Sequence, residues 1–310
     1  MLRLSNSEMS CFRRCRRKWW LTYLRGLKPR VSHARGSAIS IGNLVHDALA
    51  FMYDPENWGA DPIAYASAKV ETAIQEDPGH EIEILKEWSL CEIMLTGYME
   101  WLEETGEDAD LRFIGSERKV EIPMNENVTL ISKLDAPVER ISDGAKLALE
   151  HKTVASLDQP MNLLKIDTQL LTEHLVRFMD AQIKGATPEE AYDECQGILY
   201  NMLRKVKRTA AAKPPFYGRE TVLHNIHELR NHWHHVLSIA NEIQLSRARL
   251  ENGESHHAVF PPSPAMDCKW SCPFFAICPM FDDNSRVEDA IEAIYEVADP
   301  LERYQETEDL

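Results

Sequence analysis

Hydrophobic residues recur at helical spacing through the first third of the chain. Because apolar positions three or four residues apart line one face of a helix, this pattern predicts four helices, at Ser5–Leu24, Ile41–Tyr53, Pro62–Gln75 and Ile82–Glu103. Ser5 or Ser7 is a suitable N-cap for the first helix, which Gly26 and Pro29 end. A loop containing glycine and serine is expected between Pro29 and Ile41.

The centre of the chain changes to the two-residue alternation typical of strands. Strands are predicted at Arg112–Pro123, Thr129–Arg140, Lys146–Ala155 and Gly197–Val206, with a helix at Met161–Lys184. Farther on we expect a long helix at Arg219–Asn252, an irregular segment at Pro261–Pro279 and an acidic amphipathic helix at Arg286–Tyr304. This order predicts an α/β fold, in which helices flank a core sheet and add a helical elaboration.

Length and charge predict how these elements are organised. A chain of 310 residues can bury one large core, so we expect a single domain over residues 1–281 and an acidic tail over 282–310. Within the domain, residues 1–108 would be helical, 109–215 would form the catalytic core, and 216–281 would add a helix and a cysteine-rich segment. The tail holds eleven acidic and two basic residues, which is −9 of the net charge of −16.

This uneven charge keeps nucleic acid among the possible partners. Basic patches at Arg13–Lys18 and Arg204–Lys213 would attract a polyanion even though the total charge is negative. We expect the acidic tail to be dispensable for chemistry and to limit nonspecific binding of DNA, or to dock on a basic partner. No apolar run reaches roughly 18 residues and no apolar signal region begins the chain, which predicts a cytoplasmic protein without a membrane partner.

The candidate catalytic residues lie on two neighbouring predicted strands. A turn at Ser142–Gly144 lets the strand with Asp135 fold back beside the strand with Glu150 and Lys152. Two carboxylates so placed repel each other unless a cation lies between them, and such oxygen ligands suit Mg²⁺ or Mn²⁺. Alternation along the strand would point His151 the other way. The simpler alternative is an ion pair at a solvated strand end.

The cysteines indicate a second bound group. Disulfides are not expected in a cytoplasmic protein, and Cys268, Cys272 and Cys278 are spaced by three and five residues. Structural zinc sites usually have two close cysteine pairs, whereas here a fourth ligand must come from Cys11 or Cys15. Four thiolates suit a 4Fe–4S cluster, which would join the two ends of the chain like a clasp.

Together these motifs resemble a known nuclease family. The order Asp135, then Glu150-x-Lys152, resembles the PD-(D/E)xK motif. With the cysteines and the N-terminal SNSEMSCFRRCRRKWW it resembles the iron–sulfur RecB-like nucleases, which include the Cas4 family and the nuclease domain of AddB. The resemblance implies the fold of that superfamily and makes Cys15 the fourth cluster ligand, although Arg16 stands where the family usually has proline.

The resemblance also implies roles for individual residues. His46, in Gly42-x3-His46, would bind the catalytic metal together with Asp135, Glu150 and the backbone carbonyl of His151, and Glu117 would bind through water. Lys152 would orient the nucleophile or offset negative charge. Gln169 matches a glutamine that positions water or phosphate, but Glu173 stands where the family has tyrosine.

The expected function is that of an Mg²⁺- or Mn²⁺-dependent DNA nuclease, an exonuclease on single-stranded DNA or DNA ends. The family serves DNA repair, recombination, phage or CRISPR-linked processing, so a helicase, a recombinase or a CRISPR adaptation protein is a possible partner. One alternative is a non-catalytic iron–sulfur DNA-binding subunit that recruits a helicase or recombinase. A second is a zinc-stabilised DNA-binding module.

Overall fold

The computed structural model describes residues 2–30 and 40–304. The loop predicted between Pro29 and Ile41 lies mostly outside the described residues, as do residues 305–310 of the predicted tail. The strands are β1 Leu2–Ser5, β2 Leu27–Pro29, β3 Leu111–Phe113, β4 Arg118–Asn125, β5 Val128–Leu134, β6 Ala136–Arg140, β7 Lys146–Val154, β8 Gly197–Arg204, β9 Tyr217–Leu223 and β10 Tyr295–Val297.

The helices are interspersed with these strands along the sequence. They are α1 Asn6–Arg14, α2 Arg16–Trp19, α3 Ile41–Tyr53, α4 Pro62–Glu76, α5 Glu81–Thr105, α6 Asp158–Met161, α7 Thr168–Ile183, α8 Pro188–Asp193, α9 Ile226–Glu251, α10 His256–Val259, α11 Cys268–Ser271 and α12 Val287–Ile294. Among the described residues, none of these helices combines the length and apolar character that crossing a membrane would need.

A five-stranded mixed sheet in the order β3-β6-β7-β8-β9 forms the centre of the fold. Its middle strands β7 and β8 run parallel, with Glu150 opposite Tyr200, and the other neighbours are antiparallel. The chain between β7 and β8 contains α7, as a parallel connection requires a crossover. The predicted fold class, α/β with a core sheet and flanking helices, is confirmed.

Alternating residues of β7 supply the two hydrophobic clusters that hold helices against this sheet. Leu147 and Leu149 pack with apolar residues of α3, α4 and α5, whereas Ala148 packs with Leu170 of α7. Each strand residue therefore faces one helical layer or the other. Because Glu150 has the same parity as Ala148, its side chain lies on the α7 side of the strand.

The described residues cluster into two compact units. The terminal unit contains the described residues of Met1–Ser32, Glu121–Ser132 and Asn231–Leu310. The sheet unit contains the described residues of His33–Val120 and Lys133–Arg230. The terminal unit contains two small sheets, β1-β5-β4 and β10-β2, although the ends of β4 and β5 belong to the sheet unit. The single domain over residues 1–281 stays a prediction.

Two predicted strands are each divided between two sheets. The strand predicted at Arg112–Pro123 is β3 and β4, and the strand predicted at Thr129–Arg140 is β5 and β6, with Asp135 between them. In each case one half pairs in the five-stranded sheet and the other in β1-β5-β4. From β5 into β6 the apolar alternation continues across the break at Asp135, so the sequence pattern describes a single strand there.

Predicted helices also differ from the structure at their ends. The first begins after β1 and is interrupted at Cys15, whose backbone is extended (φ −156°, ψ 111°). The helix predicted from Met161 starts at Thr168, where Asp167 accepts a hydrogen bond from the Gln169 backbone at 2.7 Å. Such N-caps define helix starts.

The predicted helix at Arg219–Asn252 starts seven residues late, at Ile226, because its first residues form β9. Likewise, the acidic helix predicted at Arg286–Tyr304 ends at Ile294 and gives way to β10. A short amphipathic run fits either structure, and pairing with a neighbouring strand decides between them. Both predictions of helix length were therefore wrong.

The described part of the acidic tail packs within the terminal unit. β10 pairs with β2 in an antiparallel ladder, and the buried Tyr295 ring lies 5.3 Å from that of Phe274. Asp282 accepts two hydrogen bonds from the buried Arg17 at 2.6 and 2.9 Å. These contacts give the tail a structural role, while the expectation that it is dispensable for chemistry stays a prediction.

Truncation after Phe281 should therefore destabilise the protein. It leaves Arg17 buried without its carboxylate partner and removes the neighbour of β2. The half-exposed Asp282 contributes less than a fully buried partner would, but together with the loss of the β10 strand we expect Tm to fall by roughly 5 °C or more. Truncation after Tyr304 is the matched control, because it removes three acidic residues, Glu306, Glu308 and Asp309, but none of these contacts. Equal melting temperatures for the two truncations would restore the view of an independent tail.

Candidate metal and catalytic site

Four elements of the sheet unit bring the predicted site residues together. Helix α3 carries His46, the break between β5 and β6 carries Asp135, β7 carries Glu150 and Lys152, and α7 carries Gln169. The side chains of Glu150 and Lys152 both lie on the α7 side of β7, because residues two apart in a strand share a face. The structure therefore collects, from distant parts of the sequence, the residues that the motif singled out.

Three carboxylates converge on the buried side of this site. Asp135, Glu150 and Glu173 each offer an oxygen that lies within 4.8 Å of the others, and His46, Glu117 and Asp135 form a second such group. Asp135 belongs to both groups. Side chains arranged this way can bind a divalent cation through oxygen and imidazole nitrogen.

Burial makes this concentration of negative charge costly. It raises the pKa of Asp135, and the charge of Glu173 raises it further. Burial likewise raises the pKa of Glu150 well above its usual value, with Asp135 adding to the effect, and brings the pKa of Glu173 to about 7. A bound cation would stabilise the charged carboxylates, so metal and protons compete for the site.

Lys152 and Gln169 form a short hydrogen-bonded chain with Glu150. The Lys152 ammonium donates to Gln169 Oε1 at 2.8 Å, and the Gln169 amide donates to Glu150 Oε1 at 2.9 Å. Lys152 Nζ also lies 3.5 Å from that same Glu150 oxygen. The lysine side chain is 40% exposed, so its charge is held at the site yet can reach a ligand from solvent.

His46 lies beside the acids on the other side of Asp135. Its Nε2 is 3.4 Å from Asp135 Oδ1 and 3.9 Å from Glu117 Oε2. The hydrogen bond to Asp135 is the main cause that raises the pKa of His46 to about 10. Glu117 in turn forms an ion pair with Lys133. His46 therefore lies beside two carboxylates, and its role as a metal ligand stays a prediction.

The His151 ring lies on the other face of β7 from Glu150 and Lys152, as alternation predicts, and its centroid is 6.2 Å from that of His46. It stacks on Tyr53 with ring centroids 5.3 Å apart. Its Nδ1 accepts from the Asn201 amide at 2.9 Å, an orientation fixed because Asn201 Oδ1 accepts from Arg219 at 3.0 Å. Burial lowers the pKa of His151 well below its usual value, so the ring is neutral. The role of its backbone carbonyl as a ligand stays a prediction.

Sequence reasoning missed two residues of this site, Glu173 and Arg177. They lie one turn apart on α7, and Arg177 Nη2 contacts Glu173 Oε1 at 3.1 Å. Glu173 lies four residues after Gln169, on the same helix face. This spacing of four residues could have indicated that Glu173, which stands in place of the family's tyrosine, also faces the site.

The donor set fits the divalent metal that the motif implies. Three buried carboxylates face two permanent cations, Lys152 and Arg177, and this excess of negative charge favours binding of a metal cation. Carboxylate oxygens are ligands that Mg²⁺ and Mn²⁺ accept. One imidazole beside them suits Mn²⁺ as well. The ligands would be His46, Asp135 and Glu150.

The four cysteines predicted to hold a cluster all lie in the terminal unit. The pKa of Cys272 is raised by burial, with the charges of Cys15 and Cys268 adding to the effect. Arg17 donates to the Cys278 carbonyl at 3.0 Å and lies 3.9 Å from its sulfur. Residues from both ends of the sequence thus approach one another, and a buried arginine beside Cys278 suits a negatively charged thiolate group.

Cys11 lies near the same group but in a different setting. Burial raises the pKa of its thiol to about 12, and the charges of Cys15 and Cys272 act in the same direction. Burial raises the pKa of Cys272 as well, so the choice of Cys15 over Cys11 rests on the resemblance and stays a prediction. Cys91 and Cys195 are buried, as expected for small apolar residues.

Comparison with known proteins agrees with this geometry. A family model described as the PD-(D/E)XK nuclease superfamily matches residues 3–279, which include every residue placed at the two sites above. A search of the curated proteins found no match to this chain. The family match covers most of the sequence, and the chain belongs to the PD-(D/E)XK nuclease superfamily.

Proposed function

We propose that this protein is a DNA nuclease that depends on Mg²⁺ or Mn²⁺ and degrades single-stranded DNA or DNA ends. The observation that carries the proposal is the buried pair Asp135 and Glu150 beside the Lys152–Gln169 chain. When bound, the cation polarises the phosphate and makes water a better nucleophile. The preference for ends and the link to DNA repair, phage or CRISPR processing follow from the resemblance.

The protein's own residues would prepare the phosphate for attack. Lys152 holds a positive charge near Glu150, where it offsets the negative charge that develops on the phosphate. Gln169 fixes the lysine through its side-chain oxygen and the glutamate through its amide. Because the Gln169 side chain orients both Lys152 and Glu150, movement of α7 would displace both residues.

We further propose that Cys15, Cys268, Cys272 and Cys278 hold a 4Fe–4S cluster that joins the N- and C-terminal segments. With such a cluster the protein would be an iron–sulfur RecB-like nuclease, as the resemblance implies. The approach of Cys15 to Cys272 and the position of Arg17 support it. Anaerobically purified protein should be brown and contain iron and sulfide, whereas a colourless protein with zinc would support a zinc-stabilised module.

The nuclease proposal is tested by comparing linear and circular single-stranded DNA. We expect Mn²⁺ to support degradation of end-labelled linear DNA while circular DNA of the same sequence persists, and EDTA to stop the reaction. Cutting of the circle would make the enzyme an endonuclease. If neither substrate is cut at any metal concentration, a non-catalytic DNA-binding subunit becomes the better account.

Replacing His46 by alanine should weaken the response to metal. The imidazole lies 3.4 Å from Asp135, and its loss removes one ligand, so we expect the Mn²⁺ concentration for half-maximal cleavage to rise about tenfold. Excess Mn²⁺ should restore part of the activity. Replacing His80, which pairs with Asp77 on the surface, is the control. A wild-type metal response in His46→Ala would make His46 a packing residue.

A further inference from the structure

The backbone carbonyl of Asp135 lies at the interruption between two strands. Asp135 is the single residue between β5 and β6, and the residue is only 8% exposed. A buried carbonyl outside a strand ladder needs another partner. That partner is Arg177, whose Nη2 donates to the Asp135 oxygen.

Arg177 is itself buried and is held by Glu173. The exposed fractions of the two side chains are 9% and 6%. Arg177 donates to Glu173 Oε1 from Nη2 at 3.1 Å and from Nε at 3.4 Å. A planar guanidinium can serve a carboxylate and a carbonyl at once, which a lysine ammonium cannot do in the same geometry.

We propose that Arg177 is a positioning residue of the metal site, which fixes Asp135 through its backbone and is oriented by Glu173. Asp135 is shared by both groups of potential ligands, so the position of this one residue sets the geometry of both. The inference rests on the proposed function, because it gives Arg177 its role through the metal that Asp135 would bind.

The contacts favour positioning over direct ligation as the role of Glu173. Its oxygen lies within 4.8 Å of the Asp135 and Glu150 oxygens, but the same Oε1 accepts both bonds from Arg177. Glu173 therefore acts first as the counter-charge that keeps a buried arginine in place. Direct ligation of the metal by Glu173 is the competing possibility.

A charge-neutral double variant tests the proposal. Glu173→Gln with Arg177→Met removes one negative and one positive charge, so a change in Mn²⁺ affinity cannot come from net charge. We expect the Kd for Mn²⁺, measured by calorimetry without DNA, to rise at least tenfold. The matched control is Arg118→Met with Asp180→Asn, which removes another ion pair of α7 and should leave the Kd unchanged.

Single variants distinguish the positioning role from misfolding and from direct ligation of the metal by Glu173. Arg177→Lys keeps the charge and should raise the Kd at least threefold, while Glu173→Gln should raise it less than the double variant does. Wild-type Kd in both the double variant and Arg177→Lys overturns the proposal. A loss in Glu173→Gln as large as in Asp135→Asn also overturns it, and makes Glu173 a ligand. If Mn²⁺ does not bind wild-type protein, the proposed function itself fails.

Discussion

Asp135→Asn, Glu150→Gln and Lys152→Met should each lower the rate of DNA cleavage by at least about a hundredfold, the usual cost of removing one group that stabilises a transition state. The two acids converge within 4.8 Å, and Lys152 is tied to Glu150 directly and through Gln169. Each variant keeps the size of the side chain, so we expect near-normal melting temperatures and retained binding of DNA.

The control for these variants is Asp143→Asn. Asp143 lies in the turn between β6 and β7 and pairs with Arg140, so it belongs to the same hairpin without reaching the site. Rates are measured at saturating Mn²⁺ with end-labelled single-stranded DNA. Wild-type turnover in Asp135→Asn or Glu150→Gln would remove the assignment of the catalytic centre, whereas loss in Asp143→Asn would point to damage of the hairpin.

The second large effect concerns the cysteines. Cys15→Ser, Cys268→Ser, Cys272→Ser and Cys278→Ser should each lose most of the iron and sulfide, while Cys11→Ser should keep them. Cys15 lies at the extended break between α1 and α2, and the resemblance makes it the fourth ligand in place of Cys11, which lies within α1. Losing a ligand also releases a link between the chain ends, so proteolysis should increase at both ends.

Iron and sulfide per protein decide this prediction. Cys91→Ser is the control, because Cys91 is buried in a hydrophobic core of the sheet unit, whereas the predicted ligands belong to the terminal unit. If Cys11→Ser loses iron while Cys15→Ser retains it, the choice of fourth ligand is wrong. If wild-type protein purified without air contains no iron, the cluster is wrong and the active-site assignment is unaffected.

Much of the catalytic strand could be predicted from local sequence. The order Glu150, His151, Lys152 after an apolar run is enough to place the outer two side chains on one face, and the contacts to Gln169 and Asn201 agree. The α/β fold class followed similarly from the order of helical and alternating patterns. These features depend on neighbours in sequence, which is why they were accessible.

The break at Asp135 could not be predicted in the same way. Apolar alternation continues from β5 into β6, so the pattern alone describes one strand, and only pairing with different neighbours divides it. The role of Arg177 depends on that break, because an uninterrupted strand would have no carbonyl for it to bind. The packing of the tail could not be predicted for a related reason, because its contacts come from Arg17 and β2, which are distant in sequence.

The central claim is that a divalent cation occupies the space bordered by His46, Asp135 and Glu150. Anomalous diffraction from crystals soaked in Mn²⁺ tests it most directly, because the signal locates the metal without relying on activity. We expect a strong Mn²⁺ peak in contact with Asp135 and Glu150, with His46 Nε2 as a further ligand, and its absence in Asp135→Asn crystals. Full Mn²⁺ occupancy elsewhere with none at Asp135, in crystals whose site is open to solvent, would contradict the account.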